Sequence, residues 1–349
     1  MQIPVYEEMY AAEGDFYKKV KEVDFAIYEA LYRNGANKSD VFFLDIQPRH
    51  HNGNIWEFTE LLIRCPDSNS ARRFQKFLND EMNSAGINIR LRIMAQSENE
   101  TVVHAYLGEY FTHKIIIRII RKTLSHEHMR PKISIIIDDL GYESDLAFSF
   151  LELDTPLTFS ILPYGPFTKL LSENAINNGH EVLLHLPMEP KGYPSVNPGP
   201  GSLLLSMKDF EISSALEKAL TEIDGAVGIS NHMGSAFTES REKMMIVLSK
   251  IKEKGLFFID SRTTSGTVGF QEAKNIGLPA ASRNVFLDND LDKKAIKMQI
   301  ERLLNIARHS GSAIGIGHPH EETLSVLQEY FPELKNEFDF VVVSELVDL

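Results

Sequence analysis

Five stretches of the sequence place acids, imidazoles or an amide at the end of an apolar run. "ISIIIDD" ends in Asp138-Asp139. "EVLLHLP" carries His185, with Glu189 four residues on. "GAVGISNH" ends in Asn231-His232. "GLFFID" ends in Asp260, with Arg262 two beyond, and "SAIGIGHP" carries His318, with His320 two beyond. Two neighbouring carboxylates resist burial unless something positive stands beside them. A divalent cation meets that need: it stabilises an ionised Asp, accepts two imidazole nitrogens and keeps a position for water. Bound water loses a proton near neutral pH and becomes a nucleophile. The other Asp of the pair can take that proton or orient the water, and a further His can protonate the leaving group. This is equipment for hydrolysing an amide or an ester.

Such residues act only if the fold gathers them. From residue 132 the sequence alternates strand and helix. The strands are "ISIIIDD", "LTFSILP", "EVLLHLP", "GAVGISNH", "GLFFID", a weaker "AASRNVFLD" and "SAIGIGHP". Helical stretches such as "DFEISSALEKALTEI" and "KKAIKMQIERLLNIARHSG" separate them. Strands apolar on both faces and spaced by helices predict a parallel sheet covered on both sides. Seven such units predict a closed or nearly closed barrel, whose C-terminal strand ends converge on one face. The polar residues all fall at those ends. The N-terminal strand ends carry no such set, and His180 lies at that far end, outside the candidate site.

The bulk numbers are those of an ordinary soluble globular protein and narrow its partners. The net charge is −13, which speaks against a nucleic-acid surface and against a polybasic membrane patch. Cys65 is the single cysteine, so an intramolecular disulfide and a cysteine-based zinc site are excluded; a small core residue is expected there. No window reaches the length of a membrane span. The opening "MQIPVYEEMY" carries acids and no apolar core, unlike a signal peptide.

Residues 1–125 have a different rhythm and predict a small α+β domain. An amphipathic helix is expected over 5–33, then two strands, "VFFLDIQPRHH" and "IWEFTELLIRCP", joined by "HNGN". A second helix opens on a Ser70 cap and closes on Gly86, and three more strands follow. His50-His51 reads as a solvated hairpin tip. His126 and His128 lie in a charged linker and are expected to face solvent. No catalytic constellation occurs in this domain.

The segments "IIIDDLGY", "LTFSILPYGP", "GHEVLLHLPMEP", "GPGSL", "SNHMGSAFT", "FIDSRTT", "VFLDN" and "IGIGHPHEETL" together resemble the divergent polysaccharide deacetylase family, a branch of the NodB-like carbohydrate esterases. The resemblance covers residues 131–349. It implies an α/β fold, an irregular (β/α)7 barrel beside the smaller N-terminal α+β domain. It implies Asp138 as the catalytic base and Asp139 as a metal ligand. The family's second motif, His-x-x-x-His, is met at His185, but Glu189 stands where its second His is expected. His232 is the choice for the third ligand, because a neutral imidazole suits zinc. Glu189 is the alternative ligand, or an acceptor holding an imidazole in its tautomer. His318 matches the late motif that supplies a catalytic acid. Asp260 and Arg262 resemble the charged pair that orients catalytic groups; a salt bridge anchoring their loop is the plainer reading. Asn231 and Ser235 are assigned to substrate binding. The Gly- and Pro-rich "GYPSVNPGPGSLL" is either a substrate wall or a rigid surface connection.

The resemblance implies a metal-dependent hydrolase, with Zn2+ first among divalent metals. Its expected substrate is an acylated, above all N-acetylated, amino sugar of a polysaccharide or cell-wall glycan. A second reading is a catalytically inactive module on the same barrel that binds glycan or a protein partner, docking through the N-terminal domain. A base, a metal site and an acid together favour the enzyme, since a binder needs none of them. A cell-wall substrate implies a place outside the cytoplasmic membrane, in the periplasm or cell envelope, with any export signal outside this sequence.

Overall fold

The computed structural model describes residues 15–36, 40–120 and 130–348. His126 and His128 lie outside the described residues, as does the side chain of His50. The chain divides near residue 130 into two compact units.

The first unit holds helix α1 (Asp15–Arg33), strands β1 (Val41–His51) and β2 (Asn54–Cys65), helix α2 (Ser68–Ser84), and strands β3 (Ile89–Gln96), β4 (Glu100–Leu107) and β5 (Tyr110–Ile119). The strand order is β1-β2-β5-β4-β3. Only the β2–β5 pair is parallel. One face buries Val23, Ile27 and Leu31 of α1 with Phe74 and Leu78 of α2 against Leu61, Ile63, Ile115 and Ile117. Cys65 belongs to this core, 1% exposed. Helix α2 starts earlier than its sequence suggests: Asp67, not Ser70, is the cap, and its carboxylate accepts the Ser70 N–H at 2.8 Å. Asp67-Ser68-Asn69-Ser70 offers four good cap residues in a row, and the acidic one at its start holds the position, as the helix dipole favours.

The second unit starts with β6 (Lys132–Leu140), α3 (Asp145–Leu151), β7 (Thr158–Ile161), α4 (Thr168–Asn177) and β8 (Glu181–Met188). It continues with α5 (Asp209–Leu220), β9 (Gly228–Met233), α6 (Arg241–Glu253), β10 (Phe257–Asp260) and α7 (Gly269–Asn275). The remainder is β11 (Ala280–Ser282), β12 (Val285–Phe286), α8 (Lys293–Ser310), β13 (Ser312–Gly317), α9 (Glu321–Leu334) and β14 (Asp339–Phe340). Eight strands run parallel in the order β11-β10-β9-β8-β7-β6-β13-β12, and β14 adds to β6. This is a curled, open parallel sheet with helices between its strands, not a closed barrel. Its interior packs Ile136, Leu183, Ile259, Ala281 and Ile316 against Val343, brought in by the last turn of the chain. Among the described residues no helix is long and apolar enough to cross a membrane.

The weak strand "AASRNVFLD" resolves into two short ones, β11 and β12. Strand β11 pairs with β10, while β12 pairs with β13. The two outermost strands of the sheet are therefore consecutive in the chain, with only Arg283 and Asn284 between them. One continuous strand could not serve both neighbours, so the chain breaks where it changes partner. The Arg283 N–H donates to Asp260 O on one side at 3.0 Å. On the other side the Asn284 N–H donates to Ile314 O at 2.9 Å, and Asn284 Oδ1 accepts the Ile314 N–H at 2.8 Å. The side-chain amide completes the ladder where backbone pairing lapses.

Asn284→Ala leaves the Ile314 N–H without that acceptor and is expected to lower stability by about 1–2 kcal/mol. Urea unfolding measures it; an unchanged midpoint would mean that the side chain does not carry the seam.

Candidate metal and catalytic site

Successive residues of a regular strand face opposite sides, so Asp138 and Asp139 need an irregularity to line one cavity together. The irregularity is a bulge. Ile137 pairs with Phe159 and Leu140 with Ile161, which leaves two residues of β6 opposite Ser160 alone. Asp139 takes the left-handed region, φ 61°, which Asp tolerates better than most residues. Four of the five non-glycine residues described with positive φ follow or end strands at this end of the sheet: Asp139, Tyr164, Met233 and Arg262. Strain of this kind persists where the surroundings over-determine the backbone.

Asp138, Asp139, His185, Asn231, His232, Met233, Ser261, Phe286 and His318 line one small void. Asp139 Oδ1 lies 2.9 Å from His185 Nε2 and 2.7 Å from His232 Nδ1. Asp138 Oδ2 lies 3.7 Å from His185 Nε2. The orientation of His185 is set from behind: its Nδ1 is 2.8 Å from Ser230 Oγ, itself 2.6 Å from Ser160 Oγ. Nε2 is thereby turned to the cavity. His318 Nε2 lies 3.9 Å from Asp139 Oδ2, so this ring flanks the pair without touching it.

His318 has a partner that the sequence reading passed over. Its Nδ1 is 2.8 Å from Asp288 Oδ1, and its N–H donates to Asp288 Oδ2 at 2.6 Å. The Thr323 hydroxyl donates to the same Oδ2 at 2.6 Å, and the Phe286 ring stacks on the imidazole. Asp288 ends the same weak strand that splits into β11 and β12. The strand-end rule that singled out the other acids applies to it as well; the weakness of the strand hid it.

The remaining candidates sit around the void in supporting positions. The Asn231 amide is engaged on both ends, accepting the Ser261 N–H at 2.9 Å and donating to Met233 O at 2.9 Å. Asp260 is fully buried and accepts three hydrogen bonds, from the Arg262 N–H, the Thr267 hydroxyl and the Phe270 N–H. Asp260 thus meets Arg262 through its main chain, and shapes the loop after β10; neither residue lines the void. Ser235 likewise lies off the void, its hydroxyl accepting the Lys191 N–H at 3.0 Å. Asp260 and Ser235 share one cause: a strand-end position gives proximity, but nearby main-chain N–H groups claim the side chain.

Glu189 is corrected in the same way. Its carboxylate accepts the Leu205 N–H at 2.7 Å, and its own N–H donates to Leu203 O at 2.9 Å. It fastens the far end of the Gly- and Pro-rich loop rather than reaching the void. Tyr164 packs on Gly201 so closely that no side chain fits there. The loop is thus pinned at two points.

Burial dominates the electrostatics of the pair and the two acids respond oppositely. Asp138 is pushed up from the usual carboxylate range by burial, with the neighbouring Asp139 adding to the rise against His185. Burial would raise Asp139 too, but His232 and His185 outweigh it and hold the group well below the usual range. Asp288 is also held low, its burial outweighed by His318. Burial lowers His320, at the rim, against the pull of Asp288.

The residues fit a divalent cation. Asp139, His185 and His232 each offer one ligand atom, all within 4.8 Å of one another. Asp139 Oδ1 is buried between two imidazole nitrogens, at 2.9 Å from His185 Nε2 and 2.7 Å from His232 Nδ1, so all three face one point. One carboxylate and two imidazoles form a ligand set of the catalytic zinc kind. The void has a volume of about 10 Å³, about what one water or ion requires. Asp288, His318 and His320 also approach within 4.8 Å. There, however, both Asp288 oxygens already accept hydrogen bonds.

Residues 135–347 match the model of the family described as divergent polysaccharide deacetylase. The uncharacterized protein YibQ of Escherichia coli is 34% identical over 225 residues, 64% of this chain and 70% of that protein. An uncharacterized protein of Haemophilus influenzae is 31% identical over 222 residues, 64% of this chain and 79% of that protein. Among solved structures, the uncharacterized protein ATU2773 of Agrobacterium tumefaciens aligns with a TM-score of 0.61 at 26% identity. It covers 64% of this chain and 92% of its own.

Asp260→Ala strands two backbone N–H groups and a hydroxyl in a buried loop. A loss of about 3 kcal/mol is expected, read from urea unfolding. A variant as stable as the parent would remove Asp260 from this structural role.

Proposed function

The chain belongs to the divergent polysaccharide deacetylase family, and on that premise we propose that it is a metal-dependent hydrolase. It removes an acyl group, N-acetyl in the first instance, from an amino sugar of a polysaccharide such as a cell-wall glycan. The observation that carries this reading is the β6 bulge. It turns two adjacent carboxylates to one void where two imidazoles stand within 4.8 Å of Asp139.

Asp139, His185 and His232 hold the cation, Zn2+ by the chemistry of the donor set. When bound, the cation polarises the acyl oxygen and makes water a better acid. Asp138, with Oδ2 3.7 Å from His185 Nε2, takes the proton from the attacking water. His318 gives a proton to the leaving amine. Asp288 holds His318 by Nδ1, which directs Nε2 to the void. Asn231, Asp260 and Arg262 act by shaping the walls. A glycan substrate of this kind places the working protein outside the cytoplasmic membrane.

The test uses the full chain with N-acetylated chitooligosaccharides and peptidoglycan fragments, scoring acetate release with zinc, with cobalt and after chelation. Metal-dependent release is expected. Asp139→Ala is expected to lose both bound metal and activity while staying folded. Asp138→Asn is expected to keep the metal and lose activity by about 10²-fold or more. A chain that is purified without chelator, carries no metal and releases no acetate is the silent glycan- or partner-binding module instead.

Asp288→Asn removes the acceptor that fixes the His318 ring. Turnover is expected to fall about 10- to 100-fold, the usual cost of losing a carboxylate that orients a functional imidazole, with zinc content unchanged. Wild-type turnover in this variant would detach Asp288 from the acid.

A further inference from the structure

Two buried polar atoms on residues lining the void make no hydrogen bond, Asp138 Oδ1 and Ser261 Oγ, while Asp139 Oδ1 meets the imidazole nitrogens of His185 and His232. Buried polar atoms are nearly always paired. An unpaired set around one void therefore marks where the groups of an occupant belong. The proposed function uses the two carboxylate oxygens, for the cation and for the proton of water. It leaves the Ser261 hydroxyl without a task.

Ser261 is 2% exposed and directly follows β10. Its main chain is clamped from both sides. The Ser261 N–H donates to Asn231 Oδ1 at 2.9 Å, and its carbonyl accepts Arg283 Nε at 2.7 Å. Arg283 Nη2 also donates to Arg262 O at 2.9 Å, which holds the left-handed residue that follows. The hydroxyl is thus placed by neighbours that do not pair with it. Four strand steps along the sheet separate β10 from β6, so Ser261 and Asp138 stand on opposite walls.

We propose that the Ser261 hydroxyl is a catalytic donor to the acyl oxygen of the substrate, an inference that rests on the deacylation reading above. As the water oxygen bonds to the acyl carbon, its proton passes to Asp138 and the C=O pair moves onto the acyl oxygen. The charge collects on the acyl oxygen, which lies to the side of the incoming water, and the Ser261 O–H donates to it there. The C–N bond then breaks, the C=O re-forms, and the amine leaves with a proton from His318. Ser261 keeps its own proton throughout. A donor held ready for developing charge contributes strongly because nothing reorganises when the charge appears, and the clamps from Asn231 and Arg283 supply that readiness.

The test compares the zinc-loaded full chain with Ser261→Ala. The expected result on an N-acetylated chitooligosaccharide is a kcat lower by about 10²-fold with KM little changed. The melting temperature is expected to be unchanged or slightly higher, because a buried hydroxyl without a partner contributes no hydrogen bond to the fold. Binding of the product acetate, followed by NMR, is expected to weaken about 10-fold. Equal kcat and equal acetate affinity in the two proteins overturn the role of Ser261 while leaving the hydrolase reading intact. A lowered melting temperature with unaltered acetate affinity makes Ser261 structural and likewise overturns it. If the wild type releases no acetate from the glycan, the deacylation reading fails. The acetate comparison then still decides whether Ser261 meets an acyl oxygen.

Discussion

Two adjacent carboxylates enclosed at 2% and 5% exposure are the constraint around which the second unit is arranged. Burial penalises both charges. The fold answers with imidazoles from two other strands on Asp139 and with a raised proton affinity at Asp138, so that only one of the pair is strongly held as an anion. His185 and the flanking His318 need support of their own. Ser230 and Ser160 provide it for His185, and Asp288 with Thr323 provides it for His318. The strands β6, β7, β8, β9, β12 and β13 are thus tied to the same few atoms. The parallel sheet is the scaffold that lets residues so distant in sequence share one void.

The strand–helix alternation after residue 132 was legible because parallel strands are apolar on both faces and the helices carry their own period. That Asp139, His185 and His232 lie toward one end of the sheet followed from their places along the strands, while their choice as a ligand set came from the family resemblance. Three things were not legible. The bulge that aims Asp138 and Asp139 together leaves no trace in the composition of "IIIDDLG". The division of "AASRNVFLD" depends on which neighbours each half meets. The tasks of Glu189, Asp260 and Ser235 depend on main-chain N–H groups, and a one-letter sequence does not say where those point. Asp67 replaced Ser70 as a helix cap for the same reason.

The first unit uses buried charge differently. Lys21 lies 2.9 Å from Glu57 and 3.3 Å from Asp24, whose other oxygen is 2.9 Å from His113 Nε2. His113 Nδ1 is 3.0 Å from Thr112 Oγ1. These groups belong to α1, β2 and β5, so the network joins a helix to the centre of the sheet. Its members are occupied with each other. Both groups able to hold a cation among the described residues lie in the second unit.

The two-residue seam at Arg283 and Asn284 has a consequence for how this protein can change over evolutionary time. The seam sets the register of β12 against β13, and β12 leads straight into Asp288. Side chains alternate along a strand, so one extra residue in the seam would rotate Asp288 away from its imidazole and release the Arg283 grip on Ser261 in the same event. Most loops of such a sheet are free to lengthen. This join is not, and drift in its length would undo the Asp288–His318 contact while leaving the architecture recognisable.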